Sequence, residues 1–137
     1  MKKIILLLLL TPILSFNVLQ TKVDIVGKWS GEDKKEIGTF IFDSEGYAKI
    51  DARGKIIGGK NFNMGGISAK MTYNYRANKN PVEIDIIISE IEGKHLNTIY
   101  LFAEFIDNDT MKAGFLRDKN DPKEFTDDNS IILNRVK

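Results

Sequence analysis

The sequence predicts an all-β fold: an eight-stranded antiparallel up-and-down barrel preceded by an N-terminal leader. Three observations carry this. Short apolar runs recur from Ile25 onward at spacings of about 8 to 14 residues. Turn chemistry separates them. Beyond the leader, no stretch reads as a good helix, whereas residues 67–76 alternate with a period of two.

The leader stands apart from the rest of the chain. Lys2 and Lys3 form a positive start, residues 4–10 are an unbroken apolar run, and Thr11-Pro12 interrupts it. This is the layout of a secretory signal peptide, expected over residues 1–19, with the domain proper over 20–137. The run is too short for a membrane span, which needs roughly 20 apolar residues. With no cysteine there is neither a lipid anchor on the bacterial pattern nor a disulfide, so stability rests on packing. The expected location is secreted or periplasmic. Of 20 basic residues, removing Lys2 and Lys3 leaves 18 against 19 acidic ones. A balance so close to neutral supplies no field to draw in nucleic acid or an anionic membrane.

The candidate strands are residues 25–31, 36–43, 46–52, 67–78, 82–90, 96–106, 110–118 and 130–136. Asp43-Ser44-Glu45-Gly46, Glu92-Gly93-Lys94 and Asp107-Asn108-Asp109 supply the Gly, Asn and Asp that tight turns demand. Pro81 admits a strand, because it cannot donate within a ladder but is tolerated at the start of one. Ile67, Ala69, Met71, Tyr73 and Tyr75 share one face, and Val82, Ile84, Ile86 and Ile88 extend it, with Ile87 outside.

The hairpin around Asn108 is apolar on both faces. A two-residue turn sets Tyr100 opposite Arg117, Phe102 opposite Phe115 and Glu104 opposite Ala113. A ribbon of this kind suits a barrel wall with something laid over its outside, whether a helix, a loop or a second subunit. Residues 53–66, rich in glycine, and residues 118–129, acidic with Pro122, read as long loops, although Lys55-Ile56-Ile57 suits an edge pairing. Eight sequential antiparallel strands are close to the number at which a barrel closes, leaving an interior filled by side chains or one small ligand.

Gly27-Lys28-Trp29 is similar to the Gly-x-Trp signature of the lipocalins (calycin superfamily), and Ile132-Leu133-Asn134-Arg135 to their last strand. Pro81-Val82-Glu83-Ile84-Asp85, Ile99-Tyr100 and Pro122-Lys123-Glu124-Phe125 resemble the small bacterial lipocalin-like domains of unassigned function. Asp121 and Thr98 depart from that pattern, standing where those domains tend to carry Arg and Gly. The resemblance implies a barrel closed at one end by Gly27, Trp29 and Arg135, with the guanidinium stacked over the indole.

Catalytic and metal chemistry find little material. Gly54-Lys55-Ile56-Ile57-Gly58-Gly59-Lys60-Asn61 matches a phosphate-binding loop except at Asn61, but no helix-forming run follows. The single histidine, His95, lies beside a turn, and Glu83 and Asp85 read as a solvated face. The acidic turns lack calcium-loop spacing, and one histidine without cysteine leaves no zinc set. The expectation is therefore no catalytic residue, no metal and no cofactor.

The candidate site is the barrel interior, with Tyr73, Tyr75, Tyr100, Phe102 and Phe115 as walls and Glu104 and Arg117 as polar anchors. The expected role is non-catalytic binding of a small apolar or amphipathic molecule. The alternative is a filled core that works as a protein-interaction module through its outer face or loops.

Overall fold

The computed structural model describes residues 22–31 and 38–137. The leader expected over residues 1–19 and the first residues of the second candidate strand lie outside the described residues. The strands among them are β1 (Gly27–Gly31), β2 (Thr39–Phe42), β3 (Ala48–Ala52), β4 (Lys55–Gly58), β5 (Phe62–Met64), β6 (Ile67–Arg76), β7 (Val82–Glu90), β8 (His95–Asp107), β9 (Thr110–Leu116) and β10 (Ser130–Arg135). They form one antiparallel sheet in the order β4-β3-β2-β1-β10-β9-β8-β7-β6-β5. The sheet curls until its two flanks meet, giving a nearly closed all-β barrel. Its strands number ten rather than eight.

The two additional strands come from the glycine-rich stretch expected to be a loop. Gly54, Gly58, Gly59, Gly65 and Gly66 all have positive φ, so backbone turns fold this stretch into two short strands. Lys55–Gly58 pairs with β3 and Phe62–Met64 with β6. No helix follows the phosphate-loop-like string, which runs instead from β4 into a turn.

That turn helps close the barrel. Gly59 N–H donates to the Ala48 carbonyl at 2.8 Å, and the Gly59 carbonyl accepts Met71 N–H at 2.9 Å. Tyr47 bridges to Thr72, and Tyr73 N–H donates to the Gly46 carbonyl at 3.0 Å. The flanks approach so closely that a Cβ on Gly58 would stand 2.5 Å from the Ala48 carbonyl oxygen and 2.9 Å from Met71 Sδ. Only glycine fits there with its φ of 110°.

The interior is apolar and packed. Trp29, Phe42, Met71, Ile84, Ile86, Met111 and Leu133 are fully buried. Phe42 meets Tyr73 edge-on at 4.9 Å, and Phe40 lies 6.3 Å from Phe115. No buried side-chain nitrogen or oxygen among the described residues lacks a partner.

The β8–β9 hairpin keeps its two-residue turn but not the expected register. Asp107 pairs with Thr110, and a bulge between Phe105 and Asp107 leaves Ile106 unpaired and exposed. Every upstream pair shifts by one: Tyr100 faces Leu116, Phe102 faces Gly114 and Glu104 faces Lys112. A bulge changes which side chains share a face, because strand side chains alternate with a period of two. Leu101, Ala103 and Phe105 therefore join Met111, Ala113 and Phe115 in the core, while Tyr100, Phe102 and Glu104 lie outside.

What covers the outside is the strap of residues 118–129. Phe125 packs on Phe102 with ring centroids 4.6 Å apart, and Lys112 Nζ lies 5.0 Å from the Phe125 ring. Gly114 supplies the space beneath: a Cβ there would stand 2.3 Å from the Phe102 ring. Gly114→Ala is expected to lower stability by about 1–3 kcal/mol in urea unfolding, and by clearly less in a Phe102→Ala background. Equal costs in both backgrounds would show that the ring does not depend on that notch.

Candidate functional site

One end of the barrel is built around Trp29, where the lead-in to β1 is stitched across the opening. Trp29 is wholly buried, and its indole N–H donates to the Ile25 carbonyl at 2.9 Å. Arg135, directly opposite Trp29 in the β1–β10 pair, places its guanidinium carbon 4.3 Å from the ring centroid. Its Nη1 donates to the Val26 carbonyl at 2.7 Å, and its Nη2 to the Asp24 and Asn108 carbonyls at 2.8 and 3.0 Å. Nε donates to the Asp109 carboxylate at 3.1 Å. Gly27 admits this arrangement: its φ is 138°, and a Cβ on it would meet Arg135 Nη1 at 2.8 Å.

Two tyrosines brace the same end. Tyr75 donates its hydroxyl to the Val23 carbonyl at 3.0 Å, and Tyr73 to the Asp43 carbonyl at 2.7 Å. Both phenol pKa values are raised, chiefly by burial, with a smaller push from Asp24 on Tyr75 and from Asp43 and Asp24 on Tyr73. The hydroxyls therefore stay protonated donors.

Beside this closure lies a cleft of about 560 Å³. The Tyr75 ring, Val82, Ala103 and Phe105 give it apolar walls, and Lys22, from the lead-in, and Lys79, in the β6–β7 turn, stand at its edge. Val82 and Ala103 are register partners, so one wall is a cross-strand pair. Phe105 connects the cleft to the core, its ring centroid 6.0 Å from that of Trp29.

The sequence-predicted site residues separate into distinct environments. Tyr73, Tyr75 and Phe115 pack against the interior core. Tyr100 and Phe102 lie on the outer face beneath the strap. Glu104, also on that face, is exposed and borders the cleft near Trp29. Arg117 lies one residue beyond β9, exposed, where it lines a separate cleft of about 630 Å³ with Phe115 and Pro122. The seven residues do not share one site: Tyr75 and Glu104 line the cleft at the Trp29 end, and Phe115 and Arg117 the separate one. Val82, Ala103, Phe105, Lys22 and Lys79, not among the candidates, join Tyr75 and Glu104. Alternation through Ile99, Leu101, Ala103 and Phe105 was the available signal for part of that set.

The outer face carries its own polar cluster. Arg76 forks onto Asp85 at 2.9 and 3.0 Å and reaches Glu83 at 2.7 Å, while Lys123 of the strap reaches Glu83 at 3.2 Å. These carboxylates are thus engaged and largely covered rather than a solvated face. Hydrogen bonding to Arg76 is the largest influence on Glu83 and holds its carboxyl below the ordinary value, with Lys123 adding to the effect and burial opposing it. His95 begins β8, exposed, with Nε2 2.8 Å from the Thr98 hydroxyl. Among the described residues no group of three or more His, Cys, Asp or Glu side chains is placed to hold a metal ion.

Two predictions follow from these contacts. Arg135→Lys keeps the charge but cannot reproduce the planar fork, so loss of about 1–3 kcal/mol is expected in urea unfolding; a change under about 0.5 kcal/mol would contradict the clamp. Because the folded pKa of Glu83 is depressed, its contribution to stability is present above the unfolded carboxylate value of roughly 4.3. That contribution is lost as pH falls through the lower folded value. Glu83→Gln should therefore flatten the acid limb of the stability profile between about pH 5 and 2, and an unchanged slope would count against the pairing.

No protein-family model matches the chain, and neither does any curated protein or solved structure.

Proposed function

We propose that this chain is a non-catalytic, exported, lipocalin-like binding barrel that takes a small apolar or amphipathic molecule at its Trp29 end. The supporting observation is the cleft of about 560 Å³ walled by Tyr75, Val82, Ala103 and Phe105. Its size falls within the roughly 300–1,000 Å³ of small-molecule sites, and its mixture of apolar walls with a few polar groups is of the same kind. The packed interior argues for this end position, because Trp29, Phe42 and Met71 already occupy the space a central ligand would need. Export rests on the Lys2-Lys3 start and the apolar run of residues 4–10.

A second reading, an interaction module, draws on the same filled core together with Met64, Ile67 and Ile91, which are exposed at the other end of β6 from Tyr75. Met64 and Ile67 are register partners, and Ile91 N–H donates to the Ser68 carbonyl, so the three are neighbours.

Titration with Nile red, a neutral hydrophobic dye, distinguishes the two. The binding barrel should give saturable emission enhancement. Val82→Trp, which adds bulk at a half-buried cleft wall, should weaken it about ten-fold or more while leaving the unfolding midpoint near that of wild type. Absence of saturable uptake by the wild type, or uptake that a folded Val82→Trp variant retains, favours the interaction module.

A further inference from the structure

We infer that the open edge of β4 docks an extended, acidic peptide segment, which adds to the sheet as a further strand with an apolar residue opposite Ile56 and a carboxylate opposite Lys55. Such docking is independent of what the cleft at the Trp29 end holds. β4 and β5 follow one another with only Gly59, Lys60 and Asn61 between them, a spacing that ordinarily closes a hairpin. They stand instead at the two ends of the sheet, unpaired with each other. Gly59 holds them there, since its N–H reaches Ala48 on one flank and its carbonyl takes Met71 N–H on the other.

The β3–β4 pairing decides which groups point to the unpaired side. Arg53 and Gly54, with φ of 55° and 79°, form the two-residue turn of that hairpin. A turn of this kind closes on a hydrogen-bonded pair, here Ala52 and Lys55. Gly59 N–H donating to the Ala48 carbonyl continues the same series at its other end. Hydrogen-bonded pairs alternate along an antiparallel ladder, so Lys55 and Ile57 direct their backbone groups to β3, and Ile56 turns its N–H and carbonyl to the open edge. Ile56 is also 59% exposed, whereas Ile57 packs against the core. An exposed apolar side chain beside unpaired backbone groups is what an added strand covers.

Charge selects the partner. Residues 43–72, which carry both ends of the sheet, hold Lys49, Arg53, Lys55, Lys60 and Lys70 against Asp43, Glu45 and Asp51. Asp43 accepts the Glu45 and Tyr47 N–H groups within its own turn, and Glu45 pairs with Lys60. Asp51 stands opposite Ile56 in the β3–β4 pair. Glu90 and Glu92 belong to β7 and the turn after it, with β6 between them and the seam. Lys55 is exposed and in no ion pair among the described residues. A second copy would set this positive excess against itself, so the edge favours a partner of opposite charge. Directly opposite residues share a face of the sheet, which places an apolar residue over Ile56 and its acidic neighbour beside the Lys55 ammonium.

The test is fluorescence anisotropy of dye-labelled hexapeptides of alternating Glu and Val, or of alternating Lys and Val, titrated with the purified protein. The Glu/Val peptide should bind saturably and the Lys/Val peptide at least about ten-fold more weakly. N-methylation at the valines, whose N–H groups face β4 in this register, should abolish binding, whereas N-methylation at the glutamates should leave it within about two-fold. Ile56→Pro should weaken binding more than about ten-fold with the unfolding midpoint near that of wild type, because no hydrogen bond to β3 is lost. Lys55→Gln should weaken it by up to about five-fold, as loss of an exposed ion pair implies. Equal binding of the two peptides, or no saturable binding of the Glu/Val peptide, overturns the acidic partner. Binding kept by the valine-methylated peptide, lost with both methylated peptides, or retained by a folded Ile56→Pro variant overturns strand addition at this edge. Self-association that Ile56→Pro removes would put a second copy in the peptide's place and overturn the inference as stated.

Discussion

The structure depends most on what Arg135 does at the Trp29 end. One guanidinium touches three separate parts of the chain: the lead-in through the Asp24 and Val26 carbonyls, the indole of β1, and the β8–β9 turn through Asn108 and Asp109. Planarity makes this work, since the face of the group stacks on the ring while its edge donates outward. The stacking alone contributes roughly 0.5–2 kcal/mol. The larger effect is that otherwise unpaired carbonyls of an irregular lead-in gain charge-assisted donors. The cleft beside Tyr75 exists because the lead-in is held there and nowhere else.

Burial on both faces of β8 explains the architecture around it. Leu101, Ala103 and Phe105 face the core, and Phe102 faces the strap. A strand with apolar residues on both sides cannot stand at a barrel wall without a cover. The strap supplies one without regular secondary structure, pinned by an aromatic pair, by Lys112 over Phe125 and by Lys123 on Glu83. The Arg76–Asp85 fork lies under the same strap, so the outer face is a small second layer that combines apolar and ionic contacts.

Much of the fold is legible in local sequence. Alternation from Ile67 to Tyr75 and from Val82 to Ile88 marks two strands and their buried face, and the Asn and Asp turns mark the hairpins. The candidate site is far less legible, for a physical reason. A single bulge at Ile106 leaves no distinctive residue pattern, yet it shifts the pairing upstream by one residue, and Tyr100, Phe102 and Glu104 lie outward. The β5 strand is hidden for a related reason, while β4 shows only as the edge pairing suggested by Lys55-Ile56-Ile57: the glycines around them look like a flexible loop, and only the close approach of Gly58 to Ala48 shows what those residues are for. Lys22 and Lys79 lie 57 positions apart, and the Tyr75–Val23 hydrogen bond that sets the lead-in beside the end of β6 has no signature in either segment.

The place of the final strand in the sheet bears on how the chain reaches this state. β10 lies between β1 and β9, so without Ser130–Arg135 the four strands before the barrel's glycine turn and the five after it meet only at the opposite seam, through Gly46, Tyr47 and Gly59. Without that strand the facing edges of β1 and β9 have no ladder between them. Joining them spans more than a hundred residues of chain, a connection of the slow, non-local kind. Closing the gap between β1 and β9 is thereby the entropically costliest pairing in the sheet, and the barrel is complete only once it has been made.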